Sequence, residues 1–172
     1  LLGSSLAQTI EFDLTLTATS RSNVSVGLTQ ADGTVLKPIV KRIKICSNQF
    51  STNYTGSSQA TLAGSPAFEN WVPTITPVAG TTNSFQFNTL WGSGLVPLLT
   101  GNPALTNFLY PGVVTINSDN TVTVVVINDP AFPNRYPGGT GTYDPCTKVI
   151  KYRLSQGLFT NPFQVDVTLT TN

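Results

Sequence analysis

The sequence predicts an all-β fold, an immunoglobulin-like Greek-key sandwich, and three observations carry that expectation. Apolar residues recur at every second position in several separate stretches, the period of a strand with one buried face. Turn residues punctuate those stretches: the 172 residues include 14 glycines and 12 prolines. No stretch holds a 3.6-residue spacing over the length of an ordinary helix. About seven or eight short strands with turn-rich joints match the sandwich pattern.

The first element is the longest unbroken alternation. From Thr9 to Thr19 the chain alternates without a break, with Ile10, Phe12, Leu14, Leu16 and Ala18 on one side and Thr9, Glu11, Asp13, Thr15, Thr17 and Thr19 on the other. Such a strand would run about 30 Å at roughly 3.3 Å per residue. Two readings fit it: the first strand of the chain's own sheet, or a strand that completes the sheet of a neighbouring copy. Residues 1–20 are accordingly set apart as an N-terminal extension and 21–172 as the sandwich domain.

Val24, Val26 and Leu28 predict a short strand, and Asp32-Gly33 a hairpin turn. The return strand, Val35 to Cys46, is interrupted by Pro38, which favours an edge or a bulge. Ser47 to Pro66 reads as a long polar loop with room for one short strand. Strand-like apolar residues follow at Phe68, Trp71, Val72 and Ile75, then at Phe85, Phe87 and Trp91. Gly92 to Pro111 is the least strand-like region, and its leucines (Leu95, Leu98, Leu99, Leu105, Leu109) suit a turn or helical turn over an open end of the core. Val113–Asn117 and Thr121–Ile127 form the clearest hairpin, with Ser118-Asp119-Asn120 at its tip. Asn128 to Pro145, rich in proline and glycine, is expected to be irregular. Cys146–Leu154 and Phe163–Thr171 close the chain as strands.

Composition narrows the function. Charged residues make up only 10% of the chain, well below the usual quarter, and Thr, Ser, Asn and Gln take their place. That balance suits an exported, extracellular protein. A net charge of +1 supplies no field for nucleic acid. Lys37, Lys41, Arg42 and Lys44 cluster, as do Lys148, Lys151 and Arg153, but basic residues at alternate strand positions suit an edge that discourages wrong pairing. No apolar run approaches the ~20 residues of a membrane-spanning helix. Leu1–Ala7 resembles the end of a secretory signal, with Gln8 as the mature start if the cut follows Ala7.

The chemistry expected of an enzyme is sparse. There is no histidine, so the commonest general base is missing. The eight carboxylates show no spacing that singles out a pair. Gly92-Ser93-Gly94 and Gly138 to Thr142 lack the Lys-Ser/Thr of a phosphate loop. The sequence predicts no catalysis, no cofactor and no metal. Cys46 and Cys146 lack metal-ligand neighbours and read as one disulfide of an exported protein. Closing a loop of about 100 residues would contribute ~4.7 kcal/mol in the chain-entropy treatment. Asn23-Val24-Ser25 and Asn53-Tyr54-Thr55 fit the N-glycosylation sequon. Trp71, Trp91 and Tyr54 are candidates to stack on sugars, which keeps open an alternative: a monomeric secreted carbohydrate-binding or adhesin β-sandwich.

The run Val26-Gly27-Leu28-Thr29-Gln30-Ala31-Asp32-Gly33-Thr34-Val35-Leu36-Lys37-Pro38 resembles major pilins of the class 5 (alpha) fimbriae, the group of the colonisation-factor-antigen and cable pilins. Their alternating N-terminal strand is similar to Ile10–Ala18, and their last strand to Phe163–Thr171. The cysteine pair and the Pro/Gly-rich stretch before Cys146 depart from them; the Thr/Asn-rich, charge-poor surface, the sequons and the disulfide lean toward archaeal thread and bundling-pilus subunits. Either resemblance implies donor-strand complementation, in which the N-terminal strand fills a gap in the adjacent subunit's sandwich. It implies a cell-surface filament of identical subunits, with a surface receptor as a further partner. Burying Ile10, Phe12, Leu14 and Leu16 would contribute about 6–12 kcal/mol at ~1.5–3 each. Ordering the strand costs a comparable amount at about 1–2 kcal/mol per residue. Backbone hydrogen bonds to both groove walls must therefore tip the balance.

Overall fold

A computed structural model of the chain describes residues 9–15, 31–33, 40–47, 49–106, 108–127, 137–157, 159 and 163–172. They divide into two compact units, Leu1–Gln49 and Phe50–Asn172.

The first unit contains a two-stranded antiparallel ribbon, β1 (Ile10–Thr15) and β2 (Val40–Ile45). The turn glycine anticipated beside Asp32 has φ 83°, the left-handed region that glycine enters without a steric penalty. The expected strand at Val24–Leu28 lies outside the described residues.

Among its described residues the second unit has nine strands and one short helix. The strands are β3 (Tyr54–Leu62), β4 (Ser65–Trp71), β5 (Ile75–Pro77), β6 (Ser84–Phe87), β7 (Gly112–Ile116), β8 (Thr121–Val126), β9 (Gly138–Asp144), β10 (Val149–Ser155) and β11 (Gln164–Thr171). The helix, α1 (Leu95–Thr100), falls between β6 and β7. All pairings are antiparallel, in the order β4-β3-β11-β10-β9-β8-β7-β6-β5. The fold is all-β and sandwich-like, as the sequence predicts. Its connectivity is up-and-down from β5 to β11, where a Greek-key crossing was expected. Tips as short as 117–120 and 145–148 leave a strand in reach only of its successor.

Chain geometry shows how this sheet closes. Eight antiparallel steps separate β4 from β5, so the two terminal strands run in the same direction. Laid flat, nine strands ~4.8 Å apart would hold them about 38 Å apart. Only Val72, Pro73 and Thr74 join them, and that link spans at most about 14 Å. The sheet must curl until its ends meet, with β4 running on into β5 as one bent strand. Its first half pairs with β3 and its second with β6. Beyond β5, Asn88 N donates to Thr74 O at 3.1 Å, and Thr74 N donates to Asn88 Oδ1 at 2.8 Å.

Inside the curl, period-2 alternation delivers the core. Val122, Val124 and Val126 of β8, Ile150, Tyr152 and Leu154 of β10, and Val165, Val167 and Leu169 of β11 are buried, while their neighbours face out. Trp91 stacks on Tyr110 with ring centroids 4.1 Å apart. The polar atoms that enter the core with these rings are satisfied. Trp91 Nε1 donates to Phe108 O at 2.8 Å, Tyr110 Oη to Ser155 O at 2.8 Å and Tyr152 Oη to Leu90 O at 2.7 Å. As the leucine pattern suggested, 95–100 forms a helical turn that packs on β3 and β4 and buries Leu95, Val96 and Leu99.

β3 takes nine residues of a stretch read as a long loop with room for one short strand, and β9 falls where an irregular loop was expected. β3 presents Tyr54, Gly56, Ser58 and Ala60 inward, mostly small residues, so hydropathy does not mark it. The Trp71 ring fills the space they leave: a Cβ on Gly56 would lie 2.6 Å from it, and Trp71 Nε1 donates to Ser58 Oγ at 2.7 Å. β9 is similar. A Cβ on Gly139 or Gly141 would lie 1.9 Å from a carbonyl oxygen of β10. Glycine there permits a close backbone approach at a bend of the sheet, and reads in sequence as irregular.

Candidate subunit-contact site

β1 and β2 are in register from Ile10↔Ile45 through Phe12↔Ile43 and Leu14↔Lys41 to Thr15↔Val40. Directly opposed residues share a face, so the ribbon has two unlike sides. One carries Ile10, Phe12 and Leu14 of β1 with Ile45, Ile43 and, opposite Leu14, Lys41 of β2. The other carries two rungs of opposite charge, Glu11 with Lys44 and Asp13 with Arg42. Arg42 Nε and Nη2 donate to the two carboxylate oxygens of Asp13 at 2.9 and 3.1 Å, and Lys44 Nζ lies 3.3 Å from Glu11 Oε1. The Arg42 guanidinium holds the Asp13 carboxyl below its ordinary pKa, and Asp13 in turn raises that of Arg42. At the ribbon's end, Ser47 N donates to Thr9 Oγ1 at 3.2 Å.

Every residue of β1 is exposed. Ile10, Phe12 and Leu14 keep 44%, 40% and 53% of their surface, a large fraction for three apolar side chains in one row. Of the five contact residues anticipated from sequence, these three form the row on β1, which pairs with β2 of the same chain. Leu16 and Ala18 lie outside the described residues.

The remaining candidates are placed as follows. Cys46 and Cys146 are joined in a disulfide. Cys146 sits in the β9–β10 turn, its N–H donating to Asp144 Oδ1 at 2.8 Å, so β10 begins three residues after it. Asn53 is exposed just before β3, and its N–H donates to Ser51 Oγ at 3.1 Å. Asn23 lies outside the described residues. The proposed sugar-stacking aromatics are core residues: Tyr54, Trp71 and Trp91 retain 1%, 8% and 0% of their surface. Alternation brings Tyr54 of β3 and Trp71 of β4 to the inner face, and Trp91 is buried in the segment between β6 and α1, so none is available as a stacking platform. Among the described residues no helix is long and apolar enough to cross a membrane, and no group of three or more Cys, Asp or Glu side chains is placed to hold a metal.

Sequence reasoning passed over Glu69. It shares its parity on β4 with buried Ala67 and Trp71, and its Oε1 accepts from Gly94 N at 2.8 Å, pinning β4 to the start of α1. Burial raises its pKa, against the lowering effect of the Gly94 and Leu95 backbone N–H groups. Gly92, at φ 89°, faces this carboxylate, which a Cβ there would meet at 2.3 Å. The signal was the Ala-x-Glu-x-Trp alternation at 67–71, visible once those residues are read as a strand.

No protein-family model, curated protein or solved structure matches the chain.

Proposed function

We propose that this chain is the structural subunit of an extracellular filament, polymerising head to tail as its N-terminal strand inserts beside a strand of the next copy. The reading rests above all on the exposed apolar row of Ile10, Phe12 and Leu14 on β1. Those side chains belong to a two-stranded ribbon that is not part of the large sheet of residues 50–172. A strand of this kind, paired among the described residues on one backbone edge only and with an exposed apolar side, is what strand addition consumes. The receiving edge this reading needs lies at the seam where the curled sheet meets itself, since among the described residues β4 and β5 are each paired on one side only. A heterologous contact that repeats without closing gives an open fibre. The disulfide accords with an oxidising, exported setting, and exposed Asn53 is an acceptor for glycosylation there.

Electron microscopy and size exclusion of the full chain test the reading. Filaments are expected from the wild type and none after deletion of Gln8–Thr19. Leu14→Asp should abolish assembly, while Thr15→Asp, on the charged face, should slow it far less. Normal fibres from the deletion, or equal effects at the two positions, would overturn the assignment.

A further inference from the structure

We propose that β2 is a parking site for β1: the ion-paired rungs hold β1 on its own chain until a second copy takes it up. The proposal rests on the filament reading above and assigns its regulation. In the parked ribbon one backbone edge of β1 is satisfied by β2, yet Ile10, Phe12 and Leu14 remain in water. Among the described residues β1 pairs with β2 alone, and two-stranded ribbons are marginal, so opening belongs at the low end of the local stability range. In a neighbour's sheet the same strand would keep its ladder and also bury its apolar row. The exchange therefore runs toward assembly, and the parked pairing sets its barrier.

The charged rungs suit that task. Glu11–Lys44 and Asp13–Arg42 lie directly across the ribbon and specify its register, since a one-residue slip would part both pairs and set Glu11 against Ile43 or Ile45. Exposed ion pairs contribute little each and weaken with salt. They can hold a register and still yield to a competing sheet.

Assembly of the full chain, followed by light scattering and microscopy at about 10 mM and about 0.5 M salt, tests this. Arg42→Glu with Lys44→Glu should shorten the lag several-fold at low salt. High salt should do the same to the wild type and lengthen the lag of that variant, whose like-charged rungs it screens. Adding Glu11→Lys and Asp13→Arg restores opposite charges and should restore the lag. A reversed variant that assembles at the wild-type rate, while Leu14→Asp still blocks assembly, would overturn parking and leave the filament reading standing. A fourfold variant that fails to recover the lag would also overturn it, by placing the charge effect elsewhere. Normal assembly of Leu14→Asp would remove the filament reading itself.

Discussion

Alternation puts Glu69 on the inner side of β4, between Ala67 and Trp71, where a carboxylate meets the start of α1 instead of water. Because burial raises its pKa, the folded chain binds its proton more tightly than the unfolded chain does. Stability from this group is present in full below the ordinary glutamate range and is lost as pH rises through the raised value. Asp119 and Asp144 act in the opposite sense. The Thr121 and Thr147 hydroxyls, followed by backbone N–H groups, lower their pKa values, so their contribution is lost as pH falls. Glu69→Gln should therefore gain in melting temperature relative to the wild type as pH rises from acidic to neutral. A thermal series across that range checks it; a constant difference would show that the carboxylate is not desolvated in the fold.

Elements differ in how openly the sequence declares them. The β7–β8 hairpin was legible because large apolar residues alternate on both sides of an Asn/Asp tip, and β10 and β11 for the same reason. β3 and β9 were not, since their inner positions hold Gly, Ser and Ala to admit the Trp71 ring or the backbone of β10. Tertiary packing, which a linear scan does not contain, selects those residues. β1 is the reverse case. Its pattern is as clean as any in the chain, yet alternation states only that one face wants cover, and cannot name the strand that supplies it. Here β2 supplies an edge and no cover, which sets an expectation for dynamics. Amides of β1 and β2 in the unassembled subunit should exchange with deuterium orders of magnitude sooner than those of β10 and β11, which are paired on both sides. Comparable protection would mean that the ribbon is not marginal and that parking cannot be its role.

For the molecule as a whole, the strand order was the part least accessible from sequence. It depends on β4 passing into β5 through Val72-Pro73-Thr74 and on the return of β11 to β3, a pairing of residues more than a hundred positions apart such as Leu169 with Gly56. Once closed, the sheet encloses its own core: among the described residues every buried member of the hydrophobic cluster lies between Tyr54 and Leu169. None comes from the ribbon. Residues 50–172, with Cys146→Ser, should therefore fold alone, unfold cooperatively and keep the near-ultraviolet signal of packed Trp91 and Tyr110. The fragment lacks the closed loop, worth up to ~4.7 kcal/mol for about 100 residues by chain entropy, so its denaturation midpoint should fall below that of the oxidised full chain. It should also fail to polymerise alone, because it keeps the paired-on-one-side strands β4 and β5 but has no β1 to offer them. Added to the full chain, it should stop growth, since a fragment that accepts a strand cannot pass one on. A fragment that is molten would show that the first unit completes the core; one that is well folded and yet leaves filament growth unchanged would place the receiving edge outside residues 50–172.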